Sequence, residues 1–269
     1  MSEIRLIVPD DKTIEFYNSI WKGKRLNSYK ADIFRYGDEL ITVEDVRELV
    51  YDKTQSGKLD NKMYVRGDVK IYAEIRNARK SKDYAGVVSK INGIYHTRAE
   101  SAVTNVLNKE IDIIKKSIEN LKSEDNIEEF RKGRYEIIDT IADGKGKKNR
   151  YSFATKFCSF LEPKLFPIFD SVSSTLLVAF LKDFGCKIDK DILGQYSDFI
   201  KSHDAFQEKI INPDNPKEWN YKEIDRFIWL YGRVVSKYME RAGLTIAFTS
   251  VPYIKLGKED REEQSETIT

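Results

Sequence analysis

Residues Arg150 to Phe184 read RYSFATKFCSFLEPKLFPIFDSVSSTLLVAFLKDF. The spacing of Phe153, Phe157, Phe160 and Leu161 predicts a first helix. Pro163 and Pro167 then forbid its continuation, and each drives the residue before it toward extended geometry. A second helix is expected from Val172, Leu176, Phe180 and Phe184 in one row with Leu177 and Leu181 beside it. Asp170 stands where the N-cap of that second helix belongs. There a carboxylate accepts backbone N–H groups and feels the positive helix end, and both effects favour its ionised form.

Two roles fit Asp170. The ordinary one is a helix cap, worth about 1 kcal/mol. The other is a catalytic carboxylate fixed at the edge of an apolar core. Lys156 lies at the border of the first helix's apolar stripe, where a salt bridge or a snorkelling surface lysine is the usual outcome.

The segment PIFDSVSSTLL resembles the Pro-Val-Asp-Thr-His-Val segment of helix-hairpin-helix DNA glycosylases, in which the Asp is the catalytic carboxylate. SFATKFCSFL is similar to the second hairpin helix of that superfamily, where bifunctional members carry a nucleophilic Lys. The likeness is nearest to divergent members related to the 8-oxoguanine enzymes. It implies a catalytic Asp170, with Lys156 as the counterpart of the lysine. Tyr151-Ser152-Phe153 stands where the family has its hairpin Gly-x-Gly, and Gly144-Lys145-Gly146 has that form several residues earlier. The interval from Lys156 to Asp170 is shorter than the family's, and the cysteine cluster of its iron–sulfur members is absent.

A chain of 269 residues with 41% hydrophobic and 33% charged residues has ample material for a large core, in one domain or two lobes. A net charge of +2 gives no global attraction to nucleic acid, so a DNA surface must come from local clusters of the 46 basic residues. The 15 Tyr and 14 Phe suit helical packing and base stacking alike. Two Cys and two His argue against a disulfide scaffold, a zinc centre or a His-based triad, and no cofactor or metal is expected. The N-terminus carries charges where a signal sequence would be apolar. The longest apolar run, Leu176 to Leu181, falls far short of the roughly 20 residues a membrane helix needs. A cytoplasmic monomer with no membrane contact is the expectation.

Along the chain, Ile4, Leu6 and Val8 alternate as a short strand, and Thr13 is placed to cap a helix reaching Trp21. Residues 61–84 fit both a hairpin turning at Gly67-Asp68 and a helix capped by Asp68, with helix preferred. The run Arg76, Asn77, Arg79, Lys80, Lys82 is either a solvated helix end or a phosphate-contacting edge with Asn77 facing a base. Val103, Leu107, Ile111, Ile114, Ile118 and Leu121 form one long helical stripe, and Ile127, Phe130, Ile137, Ile138 and Ile141 the next. Residues 143–150, DGKGKKNR, read as a flexible loop or as a basic phosphate cradle. Lys145, Lys147, Lys148 and Arg150 are the expected contacts. Asp139 and Asp143 near Arg134 are alternative acids without a surrounding motif. Residues 185–222 look irregular, with a short helix around Tyr196 and Phe199, and residues 223–242 have the clearest helical period.

These readings combine into a mainly α, two-lobed, glycosylase-like fold with a cleft between lobes and a small β element near the N-terminus. Residues 1–84 form part of one lobe, 85–222 a helical lobe carrying the hairpin-like segment 150–184, 223–245 a helix returning to the core, and 246–269 a disordered charged tail. The resemblance implies a DNA glycosylase acting on double-stranded DNA. Asp170 stabilises the sugar cation or activates water, and the catalytic candidates are Asp170 and Lys156. The expected DNA contacts are Lys145, Lys147, Lys148, Arg150, Arg76, Asn77, Arg79 and Lys80. A non-catalytic DNA-binding or phage-defence protein on the same scaffold is the alternative.

Overall fold

The computed structural model, which describes residues 4–6, 9, 11–21, 32–36, 39–42, 62–99, 101–142, 148–183, 185, 196–211 and 219–241, is mainly helical. In chain order the elements are β1 (Ile4–Leu6), α1 (Asp11–Trp21), β2 (Asp32–Tyr36), β3 (Glu39–Thr42), α2 (Lys62–Ser81), α3 (Ala85–Tyr95), α4 (Ser101–Leu121), α5 (Ile127–Ala142), α6 (Lys148–Leu161), α7 (Ser171–Asp183), α8 (Tyr196–Phe206) and α9 (Tyr221–Arg241). A short π-helix, Gln207–Ile211, continues α8. No helix among the described residues is long and apolar enough to cross a membrane.

The chain forms two compact units. One comprises the described residues within Met1–Leu59, Ser171–Trp219 and Glu223–Thr269, and the other those within Asp60–Asp170 and Asn220–Lys222. The expected division at residue 84 falls between α2 and α3, which pack along each other with Tyr84 buried, so the chain does not part there. The expected helical lobe 85–222 is divided after Asp170. The tail 246–269 lies outside the described residues.

In the first unit, β1, β2 and β3 make an antiparallel sheet in that order, pairing Arg5 with Arg35 and Arg35 with Leu40. The alternation of Ile4 and Leu6 reveals β1, whereas β2 and β3 carry no comparable pattern. α1 begins at Asp11, so Thr13 is a buried residue of its first turn rather than its cap. Tyr17 meets Phe227 and Tyr231 of α9 edge-on at 5.6 and 6.1 Å, and Phe180 of α7 joins them together with Phe206. Asn18 donates to the backbone carbonyl of Glu223 at 3.0 Å, tying α1 to α9 through a buried amide.

In the second unit, α4 packs on α5 and α5 on α6, while α3 contacts both α4 and α6. The whole predicted stripe of α4, from Val103 to Leu121, is buried. Asn126 caps α5 by accepting from the N–H groups of Glu128 and Glu129 at 3.0 and 3.2 Å. α2 starts at Lys62, which places Asp68 inside the helix and not at its cap. α6 is buried on every face from Phe153 to Phe160, unlike the half-buried amphipathic helix its stripe suggests. It ends at Leu161, where Pro163 cannot supply a helical N–H.

Candidate functional site

Burial on all sides of α6 decides the fate of Lys156. Phe153, Phe157 and Phe160 hold the helix down, and Lys156 is carried in with them, only 4% exposed. A buried ammonium must be paired or hydrogen-bonded. Lys156 donates to Ser152 Oγ at 2.9 Å, one turn back along the same helix. Its Nζ lies 3.9 Å from Asp170 Oδ2 and 5.8 Å from the centre of the Tyr95 ring. The snorkelling alternative is thereby set aside in favour of an ion pair.

Asp170 immediately precedes α7 and keeps 21% of its side chain exposed. Its approach is set from α6. Thr155 Oγ1 accepts from the N–H of Phe169 at 3.2 Å and donates to the carbonyl of Ser152 at 3.2 Å. A wholly buried hydroxyl therefore clasps the residue just before the carboxylate to the helix that carries the lysine. Ile168 and Phe169 are buried as well, so both backbone and side chains fix this segment.

A second buried pair adjoins the first. Tyr95, the last residue of α3, donates its hydroxyl to Asp68 on α2. Asp68 Oδ2 faces Lys222 Nζ at 4.0 Å, and both side chains are almost entirely buried. Lys222 Nζ stands 3.5 Å from the centre of the Phe160 ring and 5.1 Å from that of Tyr72, and donates to the Tyr72 hydroxyl at 3.3 Å. Tyr72 and Tyr95 each set an edge against Phe160, at 5.1 and 6.1 Å between centroids. Two lysines, two aspartates and two tyrosines are thus gathered around α6. Rings placed over ammonium groups replace part of their lost hydration.

Asp68, Tyr72, Tyr95, Ser152, Thr155 and Lys222 are absent from the sequence-derived site. One of them leaves a trace there. Asp68 shares the α2 face of Ile71, Ile75 and Ala78, all buried, so it is an acid on an apolar stripe. Lys222 leaves none, because its burial depends on partners remote in sequence.

The expected DNA contacts have several fates. Arg76, Asn77, Arg79 and Lys80 are exposed on the last two turns of α2, about 12 to 18 Å along its axis from Asp68 at 1.5 Å per residue. Arg150 is a correction: in the first turn of α6 it is only 4% exposed, and a guanidinium held inside cannot reach a phosphate at the surface. Lys145 and Lys147 lie outside the described residues. Lys148 opens α6, and its side chain also lies outside them.

The alternative acid Asp139 accepts from the Tyr151 hydroxyl, and Asp143 lies outside the described residues. Arg134, fully buried, donates to the carbonyl of Leu165 at 3.3 Å and to the Tyr221 hydroxyl at 3.0 Å. Its guanidinium lies 4.5 Å from the Phe130 ring centre. That is a structural clamp within the unit. Cys158 is wholly buried, and burial pushes its thiol well above the usual range, which makes it unreactive.

Compared with known proteins, residues 46–165 match the family HI_0787_N, described as an N-terminal domain. The matched span contains Asp68, Tyr95 and Lys156 and stops short of Asp170. A curated protein of Haemophilus influenzae, named only as an uncharacterized protein, is 32% identical over 109 residues, which cover 39% of this chain and 50% of that protein. The chain thus spans about half the length of the curated relative it matches. No solved structure matches.

Proposed function

We propose that this protein is a DNA glycosylase that excises a damaged or modified base from double-stranded DNA. The observation that carries this reading is the meeting of Lys156 and Asp170 at 3.9 Å, the lysine buried and the carboxylate still partly exposed. It is the pair that the resemblance to helix-hairpin-helix glycosylases singles out. The target base leaves the stack, since a duplex hides its sugar bond. As the N-glycosidic bond breaks, the electron pair departs with the base and positive charge builds on the deoxyribose. Asp170 opposes that charge and orients the water that adds to the sugar carbon. Lys156 sets its charge 3.9 Å from that carboxylate. Once its proton has passed to the departing base, its amine can attack the same carbon, and the ring oxygen then leaves that carbon with a proton taken from the nitrogen, so that the opened sugar is held as a Schiff base. Arg76, Asn77, Arg79 and Lys80 meet the duplex, the three cations on phosphates and Asn77 toward a base edge. The protein works as a cytoplasmic monomer in repair or in defence against modified phage DNA.

The test is abasic-site production on unmodified, oxidised, alkylated and glucosylated duplexes, read as strand breaks after alkali. Asp170→Asn is expected to lower base release by about 100- to 1,000-fold, the usual loss when one electrostatic stabiliser is removed, with folding and DNA binding retained. Full release by that variant would overturn the catalytic assignment. Strand breaks without alkali would assign lyase chemistry to Lys156.

A second reading has its own support. Lys156 and Asp170 balance each other's charge, as a pair that only holds a fold would. Tyr151-Ser152-Phe153 also replaces the hairpin glycines. A non-catalytic DNA-binding or phage-defence protein fits those two facts, and the absence of breaks on every duplex would favour it.

A further inference from the structure

Among the described residues, three contacts surround the Lys156 ammonium, and they are not equivalent. Ser152 belongs to the same helix and moves with it. Asp170 is the group toward which the ammonium must be aimed. Only Tyr95 comes from a separate helix and offers a surface against which the side chain can rest. A lysine has four rotatable side-chain bonds, so direction is what such a site must supply.

The ring itself is held firmly. Asn92, one turn before Tyr95, accepts from the Thr97 hydroxyl and the Ala99 N–H at 2.7 and 3.0 Å, and donates to the Ala99 carbonyl at 2.9 Å. That fixes the backbone on both sides of Tyr95, including the left-handed residue His96 with φ 52°. Phe160 packs against the ring edge, and Asp68 anchors the hydroxyl. Asp68 is in turn buried and faced by Lys222. The path runs from the Lys222–Asp68 pair through the Tyr95 ring to Lys156.

We propose that Tyr95, anchored by Asp68, is a positioning residue that lays the Lys156 ammonium toward Asp170. The hydrogen bond from Tyr95 to Asp68 fixes the direction of the ring's long axis while Phe160 sets its plane, and together with the facing Lys222 it accounts for a carboxylate buried on the apolar stripe of α2. The role in catalysis rests on the glycosylase reading above, whereas the aiming of Lys156 does not.

The experiment has an arm for each. Buried, hydrogen-bonded lysine ammonium groups exchange slowly with water and give resolved proton–nitrogen correlations in protein labelled with nitrogen-15. The Lys156 signal is assigned by its loss in Lys156→Arg and the Lys222 signal by its loss in Lys222→Arg. Tyr95→Phe keeps the ring and removes only the hydroxyl. It is expected to shift or broaden the Lys156 signal, whereas Tyr72→Phe should move the Lys222 signal and leave that of Lys156 in place. In the second arm, Tyr95→Phe is expected to slow single-turnover base release by up to about 100-fold, as a misplaced catalytic group does, at an unchanged dissociation constant for DNA. A Lys156 signal unmoved by Tyr95→Phe, or no slowly exchanging Lys156 ammonium in the unaltered chain, would overturn the proposal. If the signal moves but the unaltered protein releases no base from any duplex, the positioning role stands and the glycosylase reading falls.

Discussion

Tyrosines that cannot easily ionise mark the interior at the scale of single residues. Burial raises the phenols of Tyr17, Tyr84 and Tyr151 above the ordinary value of 10.0, and for Tyr151 the hydrogen bond to Asp139 adds to it. At Tyr84 the charge of Arg79 pulls the other way without cancelling the effect. The sign is set by which state loses its proton first. Below pH 10 both folded and unfolded chains keep these phenols neutral, and their contribution to stability is complete. Above pH 10 the unfolded chain ionises while the folded one resists, so stability falls as pH rises toward the folded values. An absorbance titration near 295 nm should show a class of tyrosines that stays neutral while the exposed ones ionise, then titrates abruptly on unfolding. Smooth titration of every tyrosine in one wave near pH 10 would contradict the packing around them.

Glycines offer a direct test at the scale of helices. Gly93 lies exposed within α3, and an added Cβ would have nothing within 4 Å. Gly93→Ala should therefore stabilise the protein by about 0.5–1 kcal/mol, the ordinary helix-propensity gain. Gly133 in α5 would place the same atom 2.5 Å from Leu121 Cδ2, so in Gly133→Ala the Leu121 side chain must turn aside, and that repacking should offset the propensity gain and leave the variant less stable than Gly93→Ala by about 1 kcal/mol. Urea midpoints at constant slope report both changes. The helices themselves are largely legible, because α4 and α5 bury one side each and a one-sided helix writes its period into the sequence. α6 is legible as a helix but not in its depth. Its row of Phe153, Phe157 and Phe160 looks the same whether one side or every side is covered. α2 fits two periods at once, and helix prevails over the hairpin at Gly67-Asp68. The partners β2 and β3 escape a linear reading because strand pairing depends on residues distant in sequence.

For the whole molecule, a net charge of +2 leaves DNA affinity to local surfaces. On the proposed function, Arg79→Gln with Lys80→Gln should flatten the fall of log affinity with log salt by about 1.8, near 0.9 for each phosphate left without its cation. A slope unchanged by the double substitution would move the duplex to another face. Half of the site can be read from the chain, since Asp170 sits beside a helix start and Lys156 in a recognisable helix. The Asp68–Lys222 pair cannot, because it is made when the start of α9 meets α2, and no linear spacing encodes such a meeting. The clasp from Thr155 to Phe169 has a consequence for how this protein can vary. With the amide of Phe169 pinned to α6 and the carbonyl of Leu165 gripped by Arg134, the turn after α6 is fastened at two points. Only its exposed tip at Lys164 is left to bulge outward if residues are added, without changing the gap between the two charges. A longer or shorter interval between Lys156 and Asp170 is therefore tolerable at that one spot, and a change beyond Leu165 would have to break one of the two fastenings.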